Sequence, residues 1–307
     1  MALIEPAVTF VIPVYNGLPF IHEAIASVLN QTSPQWNLLV IDDASTDGSR
    51  EVLRRHVGER IRFDQNRRNL GLYPTLAAAL RLVETEWVSI LMQDDRLKPF
   101  YLAEMLALAE KHPAIPVIWA NEDILGKEGQ LLRPGKNTSR IEQIDPVPES
   151  WRRALMEGCI WTISGSFTKT DFLRTLPFRA DLPHCGDYEW LLRAIRISPL
   201  LYYQRTLAEL REHSGQASAA NLASGRNVRE SYAIVAENLR RHPSDITFGQ
   251  AAAVCLRRAT LAIRQMLGAV AHGRMKSTAS LAKYALRFAS LPVNFRRTFA
   301  PPPEDLA

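Results

Sequence analysis

The stretch SILMQDDRLKP at residues 89–99 ends an apolar run in two adjacent carboxylates, Asp94 and Asp95, with Arg96 and Lys98 close behind. Like charges side by side at the end of a buried strand repel each other and lose hydration. Two arrangements relieve this: an exposed turn paired with Arg96 and Lys98, or a cation that the carboxylates hold. A second acidic pair, Asp42 and Asp43, follows WNLLVI. There a carboxylate can accept hydrogen bonds from a ligand, while Ser45, Thr46 and Asp47 suit helix capping. Asp187 opens the pattern GDYEWLLRAI. An acid in that place either stabilises a helix start or takes a proton from an attacking hydroxyl. His213, in LREHSGQAS, offers an imidazole to a metal or a phosphate, and Arg211 offers a guanidinium to the same anion.

These residues are far apart in the chain, so a fold must gather them. VTFVI (8–12), WNLLVI (36–41), IRF (61–63), WVSILM (87–92) and PVIWAN (116–121) read as buried strands, with Pro13 ending the first. Patterns of helical period lie between them, as in FIHEAIASVLN and YPTLAAALRLVE. That alternation predicts right-handed βαβ units and a parallel sheet with helices on both faces. Ligands of such sheets bind beyond the carboxyl ends of the strands. The polar residues Tyr15-Asn16, Asp42-Asp43, Asp94-Asp95 and Asn121-Glu122-Asp123 are expected at those ends. Residues 126–150 read as one long polar loop. A helix near 151–157, the stretch WTISGSFTKTDFL, a helix at DYEWLLRAI and a β-like LLYYQRTLAEL follow, and from about 220 the pattern is helical. Helical spacing turns Glu189 towards the surface.

Composition excludes several classes. There is no GxGxxG after the first strand and no GxxxxGK[ST], which sets aside dinucleotide oxidoreductases and P-loop enzymes. Three scattered cysteines without a CxxC spacing suit a reducing compartment. The N-terminus does not read as a signal peptide, so a cytoplasmic location is expected. Between residues 250 and 303 stand nine Lys or Arg and no Asp or Glu, against a net charge of +5 for all 307 residues. Such basic helices form either a subdomain with a solvated face or a peripheral contact with the inner face of the plasma membrane. No recognition motif accompanies the charge, so nucleic acid is not an expected partner.

The stretches VTFVIPVYNGLPFIHEAIASVLNQT, LLVIDDASTDGS, NRRNLGLYPTLAAAL, ILMQDDRLKP and GDYEWLLRA, then LREHSGQAS, occur in an order that resembles the family 2 glycosyltransferases. The resemblance covers roughly residues 8–218. It implies an α/β fold of GT-A type, a Rossmann-like and mostly parallel sheet flanked by helices. A catalytic domain over 1–219 is then followed by a basic helical extension over 220–307. It also implies an inverting transfer from a nucleoside diphosphate sugar to a glycan or lipid-linked acceptor. On this reading Pro13, Tyr15, Asn16, Asp43, Asn69 and Gly71 attend the nucleoside, Asp95 and Arg211 belong to the nucleotide-sugar site, and Trp161 lies on the acceptor side. Asp94 and His213 hold Mg²⁺ or Mn²⁺, and Asp187 is the general base.

Two positions depart from the family pattern: Met92 stands where an Asp is usual and Gly186 where a Glu is usual. They leave open a second reading, a non-catalytic sugar-nucleotide-binding or membrane-associated scaffold. A nucleotidyltransferase of the same fold would need a Gly-rich basic loop after the first strand, which PVYNGLPF is not.

Overall fold

The computed structural model describes residues 5–271 and 275–299, without the side chains of 275–276 and 293–299. In chain order the elements are β1 (Val8–Val14), α1 (Ile21–Leu29), β2 (Trp36–Asp42), α2 (Ser49–Arg54), β3 (Ile61–Gln65), α3 (Leu72–Leu80), β4 (Trp87–Ile90), β5 (Arg96–Leu97), α4 (Tyr101–Lys111) and β6 (Val117–Leu125). They continue with β7 (Leu131–Arg133), β8 (Ile141–Ile144), α5 (Pro148–Glu157), β9 (Ser166–Lys169), α6 (Thr170–Thr175), α7 (Gly186–Ile197) and β10 (Leu200–Arg211). Among the described residues there follow α8 (Ala217–Ala223), α9 (Arg226–Arg241), α10 (Phe248–Ala271) and α11 (Met275–Phe299).

Among the described residues the strands form one ten-stranded sheet in the order β3-β2-β1-β4-β9-β6-β10-β5, with β7 on β6 and β8 on β10. The first four strands in that order that come from the N-terminal segment pair in parallel, as strands joined by helices must. β1 and β2 are buried along almost their whole length, which explains their unbroken apolar runs. Ile21, Ala24, Ile25 and Val28 seal α1 against this core at helical spacing.

Beyond β4 the sheet is mixed. The short SFTK of β9 runs antiparallel between β4 and β6, so β6 is not β4's neighbour. β6 extends through Asn121, Glu122 and Asp123, because β10 pairs alongside it as far as Leu125. These three residues are therefore inside a strand and not at its end, a correction to the sequence reading. Burial there pushes the Glu122 carboxyl up to about 7. The polar span 126–150 is likewise not all loop: β7 and β8 add short antiparallel edges to β6 and β10.

Pro13 stays within β1 instead of ending it. Val11 accepts the Leu91 N–H on the β4 side, and the β4 ladder stops at the Val11–Ile90 pair. The N–H that Pro13 lacks thus falls where no strand pairs.

The chain divides into two compact units, the first reaching Pro146 and resuming over Cys159–His213, the second comprising Val147–Gly158 and the chain from Ser214. The break lies before the residue-219 boundary expected from sequence, and α5 joins the second unit through specific contacts. Trp151 donates its indole N–H to Asn238 Oδ1 (3.0 Å) and meets the His242 ring edge-on. Arg152 donates to the Asp245 carbonyl, and Arg258 to the Leu155 carbonyl at 2.9 Å. Within this unit Tyr232 of α9 packs against Tyr284 and Phe288 of α11. Among the described residues no helix is long and apolar enough to cross a membrane.

Candidate active site

The two aspartates that follow β4 have different surroundings. Asp95 is 5% exposed. Its Oδ2 accepts the Ser164 hydroxyl at 2.5 Å and its Oδ1 the Arg211 N–H at 2.9 Å. Burial, and then the charge of Asp94, raise its pKa, while Ser164 and Arg211 pull the other way. Ser164 also accepts the Met92 N–H at 2.9 Å, so one hydroxyl ties both ends of the turn. Arg211 lies beneath. Its guanidinium donates to the carbonyls of Asp94 (3.1 Å) and Lys127 (2.8 Å) and to Glu23 Oε2 (2.7 Å), 4.7 Å from the centre of the Phe20 ring. With a side chain only 1% exposed, Arg211 grips the turn from inside the protein.

Asp94 turns to another partner. Its Oδ2 lies 3.3 Å from His213 Nε2, and the imidazole rests on the Phe20 ring at 4.6 Å. Arg96 pairs with Glu23 and Glu209, and Lys98 with Asp123 at 2.7 Å. The basic residues beside QDD thus hold other acids, and the exposed-turn arrangement is not what the structure adopts. Asp94 and His213 put one hard oxygen donor and one imidazole nitrogen next to each other, a set that fits a divalent cation and suits Mn²⁺ better than the oxygen-seeking Mg²⁺. Among the described residues no cluster of three or more His, Cys, Asp or Glu could hold a metal. Phosphates and waters would have to complete such a site, as they commonly do for these ions.

The loop after β1 is built from hydrogen bonds to its neighbours. Gln93 clamps Tyr15 through both backbone groups: its Oε1 accepts the Tyr15 N–H (2.8 Å) and its Nε2 donates to the Tyr15 carbonyl (3.1 Å). The next three N–H groups, of Asn16, Gly17 and Leu18, donate to Ser45 Oγ, Ser49 Oγ and Asp47 Oδ2. Asn16 adopts a left-handed φ of 52° and accepts the Thr46 N–H at 2.8 Å, two habits for which asparagine is well suited. Tyr15 is left 46% exposed, while Pro13 is buried in β1. Asp47 does serve α2, accepting the Ser49 N–H and hydroxyl, although Gly48 holds the N-cap position itself.

Asp42 is fully buried and paired with Arg50 at 3.1 Å. Asp43 holds the 66–71 loop: it accepts from Asn66 Nδ2, the Leu70 N–H and the Gly71 N–H, each at 2.8 Å. Asn69 accepts the Gly71 N–H as well (3.1 Å), and it is exposed together with Arg67 and Arg68. Gly71 has φ +85°, and nothing lies within 4 Å of where a Cβ would stand. Its conformation requires glycine and leaves open space above it.

At the start of α7 a residue not singled out in the sequence is decisive. The Tyr73 hydroxyl accepts the Asp187 N–H at 3.0 Å, and its ring lies where a Cβ on Gly186 would be, 2.4 Å from Cε2. Burial and the nearby Asp187 charge drive the Tyr73 pKa far up, so the phenol keeps its proton. Phe178 stacks on Tyr73 at 5.1 Å, and Trp161 packs on Trp190 at 4.7 Å. Trp161 is thus a core tryptophan, and among the described residues its Nε1 has no hydrogen-bond partner. Asp187 stands in the first turn of α7, where the helix dipole favours its charge, and accepts the Tyr188 N–H at 2.7 Å. Glu189 is buried, contrary to the surface position expected, because Arg193 clasps both its oxygens at 2.8 Å from one turn on.

The structure therefore brings His213 and Arg211 against the turn that carries Asp94 and Asp95, Tyr15 and Asn16 to that turn through Gln93, and Asp43 together with Asn69 and Gly71. Asp187 is linked to the last group through α3, which carries Tyr73 two residues after Gly71. Gln93, Ser164 and Tyr73 are the residues that sequence reasoning left without these roles. Their signal was faint: the polar Gln inside QDD, a hydroxyl between small residues, and a glycine where the pattern wants an acid.

Residues 9–161 match the family described as Glycosyl transferase family 2. An uncharacterized glycosyltransferase of Rickettsia felis is 28% identical over 217 residues, covering 69% of this chain and 35% of the relative, so the chain spans about a third of that protein's length. The putative teichuronic acid biosynthesis glycosyltransferase TuaG of Bacillus subtilis is 33% identical over 104 residues, 33% of this chain and 41% of the relative. In fold, the chain resembles the mannosyltransferase PcManGT from Pyrobaculum calidifontis, solved in complex with GDP-Man and Mn²⁺, with TM-score 0.57, 17% identity, and coverage of 97% of this chain and 88% of the other.

Proposed function

We propose that this chain, which belongs to glycosyl transferase family 2, moves a sugar from a nucleoside diphosphate sugar to an acceptor hydroxyl with inversion at the anomeric carbon. The observation that carries the reading is the Asp94–His213 pair, 3.3 Å apart on a turn that Ser164 and Arg211 brace and Gln93 couples to the Tyr15 loop. A pair of metal-ligating donors held beside a loop that presents an exposed tyrosine suits a diphosphate leaving group.

In the reaction Asp187 takes the proton of the acceptor hydroxyl as its oxygen attacks the anomeric carbon from the face opposite the diphosphate. The carbon–oxygen bond to the acceptor forms as the bond to the diphosphate oxygen breaks, and the nucleoside diphosphate departs. Asp94 and His213 would hold Mn²⁺ or Mg²⁺, which when bound supplies positive charge to the leaving group. The GDP-Man and Mn²⁺ carried by the mannosyltransferase of similar fold support a nucleotide-sugar donor and a divalent cation here. Tyr15, Asn16, Asn69 and Gly71 border the nucleoside. Asp43, whose oxygens hold the 66–71 loop, shapes that border from behind. Asp95 and Arg211 act by fixing Asp94, since both are buried under it.

The name of the Bacillus subtilis relative supports a cell-surface polysaccharide, on a glycan or lipid-linked acceptor. That setting is consistent with a peripheral contact of the basic C-terminal helices with the inner face of the plasma membrane. A panel of nucleotide sugars screened by thermal shift with and without Mn²⁺ tests the reading, since a ligand bound only by the folded chain raises Tm by mass action. At least one donor should stabilise the wild type more with Mn²⁺ than without, and Asp94→Ala should lose that increment. A Mn²⁺ increment that survives in Asp94→Ala overturns the metal assignment.

A further inference from the structure

The helix α10 is patterned the wrong way round for a helix of a water-soluble subdomain. Its buried positions are mostly small: Ala251, Cys255, Ala259, Ala262 and Ala269, with Val254. Its larger aliphatic residues look outward, with Leu256 67%, Ile263 44%, Leu267 60% and Val270 51% exposed. Spacings of seven, four and three residues put these four on one stripe. Arg257 and Arg264, both exposed, run along one side of it a turn-pair apart. Arg258, by contrast, donates to the Leu155 carbonyl and belongs to the packed side. No acidic residue occurs anywhere between positions 250 and 303.

We infer that this stripe is the surface on which the chain lies against an anionic lipid bilayer, with Leu256, Ile263, Leu267 and Val270 entering the headgroup boundary and Arg257 and Arg264 meeting the lipid phosphates. The inference rests on the membrane contact proposed above and adds which face makes it and to what kind of lipid. Charge decides between a bilayer and a second copy of the chain. A second copy would bring a flank that carries only arginines near another of the same sign, whereas anionic headgroups complement it. Nor can the helix cross the bilayer, for no described helix is long and apolar enough. A helix with an apolar stripe, a basic flank and too little apolar character to span is of the kind that lies in the interface plane.

The test is co-sedimentation of the full chain with phosphatidylcholine vesicles, with and without phosphatidylglycerol, alongside gel filtration without lipid. All the substituted residues are exposed, so far-UV circular dichroism should be unchanged in each variant. The wild type should sediment with the anionic vesicles and be a monomer on the column. Leu256→Glu/Leu267→Glu should lose at least roughly tenfold in partitioning to them. Arg257→Gln/Arg264→Gln should lose roughly thirtyfold, about fivefold for each arginine, on anionic vesicles only. Donor hydrolysis in lipid-free buffer should be unchanged in both variants. If the wild type binds neither vesicle, the membrane contact and the face fall together. If it binds and neither double variant weakens it, the contact stands and this face is the wrong one. Equal binding to both vesicles removes the anionic preference. A dimer that Leu256→Glu/Leu267→Glu splits, without vesicle binding, makes a second copy the occupant.

Discussion

At position 92 a methionine stands where the family pattern has an aspartate, and at position 186 a glycine stands where it has a glutamate. The structure treats the two losses differently. At Met92 the backbone matters: its N–H is held by Ser164, and its half-buried side chain is not part of the hydrogen-bonded turn. At Gly186 the missing side chain itself matters, because the Tyr73 ring fills the place and its hydroxyl takes the next N–H in the helix. One departure lies outside the hydrogen-bonded turn; the other has been built over. A lost acid therefore says little about a site until its neighbours are known.

That contrast is most easily broken by putting the acids back. Gly186→Glu brings a Cβ to 2.4 Å from the Tyr73 ring and forces that ring or α7 to move. It should destabilise the chain by about 1–3 kcal/mol, as overpacking does, and lower donor hydrolysis at least tenfold. Tyr73→Ala in the same chain should restore part of the Tm, and a double-mutant cycle without coupling would break the link.

Ser164→Ala comes next. It leaves the buried Asp95 carboxylate one donor short and the Met92 N–H without its acceptor. A loss of about 1–3 kcal/mol is expected, together with a weaker Mn²⁺ increment in Tm as Asp94 loosens. Tyr73→Phe removes only one hydrogen-bond acceptor, for about 1 kcal/mol. Its signature should be a lower kcat with KM for the donor unchanged, since the 15–18 and 66–71 loops keep their bonds. The smallest effect is expected for Met92→Asp, within about 0.5 kcal/mol by thermal melt, because no buried bond depends on the methionine side chain. A large loss there would show that the two positions are alike after all.

How far the sequence foretold all this follows the same division. The β1 and β2 runs, the helices between them and the acids behind β2 and β4 were legible, because continuous apolar runs and turn residues are local signals. So was the pairing of Asp94 with His213 as candidates. The antiparallel β9 was not: SFTK is four residues long, and its neighbours come from distant segments. β7 and β8 hid in a polar stretch because edge strands bury little. Glu189 defeated helical spacing because Arg193, one turn on, makes a buried carboxylate tolerable. Tyr73 looked like one more residue of an amphipathic helix, and only Gly186, more than a hundred positions away, gives it a purpose. Arg211 was read as a guanidinium for a phosphate, and its partners Glu23, Asp94 and Lys127 could be found only in three dimensions.

The central claim is that Asp187 removes the acceptor proton while the rest of the site holds the donor. It is tested most directly by Asp187→Asn with the nucleotide sugar that stabilises the wild type. The variant should show the same donor-induced rise in Tm, while turnover of that donor falls by roughly 10²–10⁴-fold, the range a general base supplies. Near wild-type turnover in a folded, donor-binding Asp187→Asn chain would contradict the account.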